Sequence, residues 1–541
     1  MKCLGFATPL SGSSYAWIAL LLSAALMMPA CSDDARRAKS TPDVVDTTDP
    51  DASQGDDIVD QVDAVVDPPP VQPTTGPGKV LDVEAARELS RLGLQIRTAE
   101  SNLISVASVQ SQVYKIDFTF RSQSVFGTAW THDATMFVPL VLNPSLVAGA
   151  FIVVQHGTQN DVKDISQTGE FRINYAARIT AIFGIPSVVV TNLPGPIDLN
   201  KGPQEWQGQG AAACFGQSVP ALRYTPCLLE VLRNTDDASA DPFRYLAFGW
   251  MRAVTAAVEV SRRAPEQSWN GDGPIDFRLS RAIILADGDR AVGARMAAAV
   301  DTRIDGVFGA GADFGALSQL LPKMKAAWSQ NYGWFGDVDA FRLWLQTDAG
   351  KAWHDTVDPM RWPVMIADKS FVNALGTKDP NFPLSAYALM ALAFGPDTNR
   401  FVVANYGAGI GTQDHLLNWM AFATHVYLGR NWLNAKVTAT PSGGNIAIAA
   451  TAIGSAEARG SAMSYVQQHT RDDGDFRNAV WNTDFLASDG PMSWSGNHAP
   501  ITQNSAAFVD VYEEDEVLTI LEDVGVVPVA GTWSSPILVF D

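Results

Sequence analysis

The sequence predicts an α/β protein built on a doubly wound, mostly parallel sheet, with a small β domain at its C-terminal end. Three observations predict it. Between residues 110 and 430, short β-branched runs alternate with longer stretches of helical periodicity, the pattern of strand–helix–strand units. The runs are apolar almost throughout and stop at Gly or Pro, as a sheet covered on both faces requires. Beyond Lys436 the helical periodicity fades and short alternating runs replace it, which suits antiparallel strands. The 541 residues are 47% apolar and 18% charged, enough to bury a large core and to exclude a mostly disordered or fibrous chain.

From the N-terminus, Lys2 precedes an apolar run of 13 residues, Ala16 to Met28, which is followed by Pro29-Ala30-Cys31. The run is shorter than the roughly 20 apolar residues needed to span a bilayer and has the length of a secretory signal core. Ala30 directly before Cys31 resembles a bacterial lipobox, so residues 1–30 are expected to be a lipoprotein signal peptide and Cys31 the lipidated residue. Residues 31–80 are expected to be a disordered Asp/Pro-rich tether. Positions 33–78 carry 11 Asp against 3 basic side chains and no Leu, Met or aromatic residue, which cannot offset the entropy of ordering. Ser32 after the cysteine favours the outer membrane, on its periplasmic or its outer face. The lipid anchor is the only membrane attachment expected.

Residues 81–435 are expected to form the α/β domain. Strands are expected at Ala150–Gln155, Ser187–Asn192, Arg281–Ala286, Asp305–Gly309, Pro363–Ala367 and Arg400–Ala404. Asp241-Pro242 opens the best helix, an N-cap residue followed by proline in the first turn, and Phe243, Leu246, Trp250, Val254 and Ala257 recur behind it at helical spacing. Another helix starts near Asp414. Cys214 and Cys227, an even pair in a chain read as exported, are expected to form a disulfide. Residues 436–541 are expected to be a β-sandwich-like tail with strands near Val437–Thr440, Asn445–Ala449, Ser505–Tyr512 and Ser535–Phe540.

In such sheets, chemistry belongs at the carboxyl ends of the strands. The strand, sharp turn and Ala-rich helix at Ile283–Val300 suggest the nucleophile elbow of an α/β-hydrolase-like fold, which lifts a serine above the sheet. Residues 281–301 contain no Ser, Cys or Thr. Counted to Gly293, a G-x-S-x-G pattern puts Ala291 at the nucleophile; counted from Gly288, it puts Arg290 there. Asp289 is a conceivable carboxylate nucleophile. The loop Asn405–Ile410, where a histidine belongs, has none, and His415 follows at the start of a helix. Asp379, in Gly376-Thr377-Lys378-Asp379, suits the acid position. His156-Gly157 sits where part of an oxyanion hole is built.

No cofactor and no metal are expected. The seven histidines show no zinc-like spacing, and Asp472, Asp473 and Asp475 lack an EF-hand ladder and read as a solvated turn. A net charge of -20 excludes an electrostatic grip on nucleic acid. The 14 acids against 4 bases in 436–541 and the acidic tether carry most of that charge.

Four stretches in a fixed order resemble the PhoPQ-activated pathogenicity-related family of exported α/β-hydrolase-like proteins. They are Ser122-Gln123 with Trp130 and His132; Asn192 to Pro196; Gly288 to Gly293 with Val300 to Ile304; and Asp475-Phe476-Arg477. The resemblance spans about residues 110–515 and implies the family's fold. By that alignment its elbow serine falls at Arg290, its histidine at Ala408 and its acid near Thr377, with Asp379 displaced by two. Two of three triad groups are then missing. The leading expectation is a non-catalytic, hydrolase-like binding protein whose cleft takes a small-molecule or protein ligand. The alternatives are a hydrolase with a displaced site, Asp289 with His415 or His156, and an adhesion module acting through the β tail.

Overall fold

The computed structural model describes residues 74–106, 109–155, 176–206, 214, 224–263, 277–312, 314–328, 333–379, 381–384, 389, 399–403, 413–430, 434–442, 445–453, 459–468, 480–498, 505–518, 526–534 and 538–540. Residues 1–73, which include the expected signal peptide, Cys31 and most of the expected tether, lie outside them. The last residues of that tether segment belong to the fold: Gly76, Pro77 and Gly78 are buried in a 3-10 turn, Gly76–Lys79. Gly76 has φ +50, and a Cβ there would sit 3.0 Å from the Trp362 side chain.

Nine strands form one sheet: β1 (Gln95–Val106), β2 (Val109–Val125), β3 (Thr128–Pro139), β4 (Ala150–Gln155), β5 (Ser187–Val190), β6 (Arg281–Asp287), β7 (Ile304–Ala310), β8 (Ser370–Gly376) and β9 (Asn399–Val403). Their order is β1-β2-β3-β5-β4-β6-β7-β8-β9. β3 runs antiparallel to both β2 and β5; from β5 through β9 every pairing is parallel. The order reverses at β5/β4, and the strands beyond it are joined by long crossovers, so the sheet is that of an α/β-hydrolase-like fold with its ligand edge at the carboxyl ends of β4, β6, β7 and β8.

The α-helices bounded within the described residues are α1 (Val83–Arg87), α2 (Tyr224–Thr235), α3 (Pro242–Arg263), α4 (Gly288–Val300), α5 (Leu317–Trp328), α6 (Val338–Trp344), α7 (Asp348–Val357) and α8 (Gln413–Leu428). β4 and β5 are buried at every position, which explains their unbroken apolar runs. α3 is buried along nearly its whole length and packs on α4. A Cβ at Gly293 would lie 2.6 Å from the Leu246 Cβ and 2.9 Å from the Ala247 N, so glycine sets how closely the two helices approach.

Two expected strands are corrected. Pro363–Ala367 is a 3-10 turn, Pro363–Met365, and the strand of that region is β8, three residues beyond. The run is apolar, but Pro363 and its non-extended neighbour Trp362 (ψ 47) start a turn. The strand expected at Ser187–Asn192 stops at Val190, because Asn192 turns the chain at φ 57.

In the tail, β10 (Asn434–Ser442), β11 (Asn445–Ile453), β15 (Ser493–His498) and β14 (Ala487–Gly490) make one antiparallel sheet. β13 (Asn482–Phe485), β12 (Arg459–Gln468), β16 (Ser505–Leu518) and β17 (Val526–Ser534) make another, with β18 (Leu538–Phe540) on β16. Ile446, Ile448, Trp494, Phe508, Val509, Val511 and Trp533 are buried. β17 lies against α8 and β9, so the tail covers the far end of the large sheet.

Candidate functional site

β6 ends at Asp287 and α4 begins at Gly288, so the chain passes from extended to helical within one residue. Such an elbow needs a left-handed backbone at its apex. Gly288 supplies it, at φ +56. The apex therefore falls at Gly288, two residues before Arg290 and three before Ala291. The glycine-counting pattern missed it because the glycine here is the apex and not a flank. A Cβ on Gly288 would meet nothing within 4 Å; space for a side chain is present and the sequence provides none.

The flanking acids are tied down. Asp287 and Gln155 bond reciprocally across the ends of β6 and β4: the Gln155 amide donates to Asp287 Oδ1, and the Asp287 N–H donates to Gln155 Oε1 at 2.9 Å. Asp289 is buried and its Oδ2 accepts from Thr225 Oγ1 at 2.6 Å. Burial pushes its carboxyl up, against the opposing pull of Arg290 and Thr225. Thr225 stands two residues before Cys227, which is disulfide-bonded to Cys214, so the bridge fixes the start of α2 that holds Asp289.

Arg290 points back across the elbow. Its Nη1 lies 3.6 Å from Asp289 Oδ1 and 4.0 Å from Asp287 Oδ1. Its Nε donates to the Leu193 carbonyl at 2.7 Å, and its own carbonyl accepts from Trp250 Nε1 at 2.9 Å. An arginine so engaged is a brace for the loop after β5.

The same loop explains Ser122, Trp130 and His132 of the motif, and α3 explains Gln123. Ser122 is the extra residue of a β-bulge, between the pairs Arg121↔Thr131 and Gln123↔Trp130. Its Oγ lies 2.8 Å from His132 Nε2, and His132 Nδ1 lies 3.1 Å from the Thr191 carbonyl. A carbonyl only accepts, so Nδ1 carries the proton and Nε2 accepts from Ser122. Serine, histidine and a third orienting group echo an activated nucleophile. Both side chains are buried, His132 completely, and burial lowers the imidazole to about 4, so the pair serves as a neutral strut. Trp130 Nε1 donates to Pro196 O at 2.9 Å, Gln123 Nε2 donates to Tyr245 O at 2.7 Å, and Leu193-Pro194 is cis.

Asp379 follows β8, two strands from the elbow in the sheet order, about 10 Å at normal strand spacing. Its Oδ1 accepts from Asn381 N (2.7 Å) and Phe382 N (3.1 Å). Its Oδ2 is buried and has no hydrogen-bond partner among the described residues. Burial raises this carboxyl to about 6.

His156, Ala408, Asp475, Phe476 and Arg477 lie outside the described residues, and His415 is described only as part of the first turn of α8. Among the described residues no three His, Cys, Asp or Glu side chains converge as a metal site. Sequence reasoning missed Gly288 as the apex, and the bonds of Gln155 and Thr225 to the flanking acids. Only Gly288 left a signal, a glycine directly between an apolar strand and an Ala-rich helix.

No protein-family model and no curated protein matches the chain. Solved structures do. An acetyl xylan esterase from a Paenibacillus species is 14% identical with a TM-score of 0.35, covering 64% of this chain and 92% of that one. An acetyl xylan esterase from a Thermoanaerobacterium species is 13% identical with a TM-score of 0.36, covering 66% and 96%. A glucuronoyl esterase from Teredinibacter turnerae is 12% identical with a TM-score of 0.33, covering 62% and 79%. The strand order and crossovers, and not these likenesses, carry the fold.

Proposed function

We propose that this chain is a lipid-anchored cell-envelope protein of the PhoPQ-activated pathogenicity-related type that binds a ligand through a hydrolase-like cleft without turning it over. One observation carries the reading: the apex of the elbow is Gly288 at φ +56, and a residue without a side chain cannot attack a carbonyl. Asp289 does not replace it. It is buried, hydrogen-bonded to Thr225 and shifted toward its neutral form, whereas a carboxylate nucleophile must be ionised and free to approach.

The test is an ester and peptide hydrolysis panel on the full chain, with Asp289→Asn and His415→Ala beside it. Rates indistinguishable from buffer in all three support the reading. A wild-type rate above buffer that either variant abolishes would replace it with a displaced-site hydrolase. Anchoring is tested separately: Cys31→Ala should move the protein from the membrane to the soluble fraction and stop incorporation of labelled fatty acid.

A further inference from the structure

Asp379 holds one oxygen fast and leaves the other unanswered. The Asn381 and Phe382 N–H groups both grip Oδ1, which fixes the rotation of the carboxyl group and aims Oδ2 elsewhere. The residue is 2% exposed, and Oδ2 has no partner among the described residues. An unmatched oxygen on a buried carboxylate is costly, and such groups are retained where they meet something. The carboxyl stands after β8, beside the elbow's edge of the sheet, the place from which an acid orients an imidazole N–H in triad geometry.

The chain does not offer that imidazole from its described histidines. His132 is bonded to Ser122 and Thr191, His354 to Asp358 at 2.7 Å, and His425 to the Arg430 carbonyl at 2.5 Å. The sequence has no histidine between His354 and His415. The flank is aromatic: Phe382, whose N–H grips Asp379, packs edge-on against Trp334 with centroids 5.1 Å apart, and Trp334 in turn meets Phe243 and Phe314.

We propose that Asp379 anchors a binding site for an imidazole-bearing ligand, whose ring N–H donates to Oδ2. The proposal rests on the non-catalytic reading above and names the ligand chemistry of the same cleft. Oδ2 is buried in the closed structure, so the incoming ring must displace protein atoms from it, and binding is coupled to a local opening.

The experiment uses the full chain above the pKa of imidazole, with ligand-observed NMR and calorimetry. Imidazole is expected to bind with a Kd on the order of 1 mM, given its five ring atoms. 1-Methylimidazole keeps the ring and lacks the N–H, and is expected to bind at least ~10-fold more weakly, the loss of one charge-assisted hydrogen bond. Asp379→Asn should lose this discrimination and bind the two ligands about equally. The Asn381 and Phe382 N–H groups will select the amide oxygen, leaving the NH2 group facing the ligand, where it donates to the acceptor nitrogen that both rings carry. A blocked histidine amide distinguishes the source: tighter binding than imidazole points to a histidine of a polypeptide, equal or weaker binding to a small imidazole. Equal binding of 1-methylimidazole by the wild type overturns the proposal without reference to any variant, as does a preference for imidazole retained in full by Asp379→Asn or no binding by the wild type. In that last case, an inactive hydrolysis panel leaves the non-catalytic reading standing. Ester hydrolysis that disappears in Asp379→Asn would remove that reading instead.

Discussion

Gly288 sits in the left-handed region at φ +56 with open space where a Cβ would point. Gly288→Ser should therefore fold, at a cost of about 1 kcal/mol for the backbone conformation, read as a small drop in the thermal midpoint. It should gain no esterase activity if no described histidine reaches the apex, and activity in that variant alone would show that a base is present. Asp379 and Asp241 give a pH signature. Burial raises both from 3.8 to about 6, so the folded state prefers them protonated. Their stabilising contribution is fully present below pH 3.8 and is lost as pH rises through about 6. Stability of the wild type should fall across that window in denaturant titrations, and Asp379→Asn with Asp241→Asn should flatten the fall. An unchanged slope in the double variant would show that neither carboxyl is as buried as it stands here.

Between elements, the tightest constraint is the α3–α4 crossing at Gly293. Gly293→Ala puts a methyl group 2.6 Å from the Leu246 Cβ and 2.9 Å from backbone at Ala247. Backbone cannot swing aside as a side-chain tip can, so the helices must separate, at about 1–3 kcal/mol. Denaturant midpoints of Gly293→Ala measure this; no change would mean that the helices slide freely. The β2–β3 hairpin shows another element-level device. Its two-residue loop, Phe126-Gly127, has φ 48 and 74, the type I′ geometry that matches strand twist. Phe126 tolerates the left-handed region because its ring packs edge-on against Trp206 at 4.7 Å and Tyr245 at 5.9 Å. The hairpin in turn delivers Ser122, Trp130 and His132 under the loop after β5 and Gln123 to α3. Ser122→Ala would leave the buried His132 Nε2 without its donor and should destabilise by about 1–3 kcal/mol.

Across the whole molecule, β17 of the tail lies on α8 and β9, and residues 72–105 and 109–541 form one compact unit. Truncation before β10 would uncover that end of the large sheet, and an uncovered sheet edge with apolar neighbours invites aggregation. A chain ending at residue 433 should show a lower melting midpoint and concentration-dependent light scattering. A soluble truncated chain with an unchanged midpoint would mean that the tail contributes nothing to the α/β fold.

The sequence by itself determined the α/β class, seven of whose strands or helices start within a residue or two of where periodicity puts them, because near-continuous apolar runs stopped by Gly or Pro are a direct print of burial on both faces. It also determined that no serine, cysteine or threonine stands at the elbow, since absence from 281–301 needs no register. It misplaced a strand at Pro363–Ala367, where apolar composition outweighed the turn chemistry of proline. Register at the elbow was decided only by tertiary structure, because backbone φ at Gly288 marks the apex and counting glycines does not. The loop-bracing roles of Arg290, Trp130 and His132 and the unanswered oxygen of Asp379 were likewise tertiary. They arise from contacts between residues 10 to 97 positions apart, or from burial that forms only when the sheet closes, and neither leaves a local pattern in the chain.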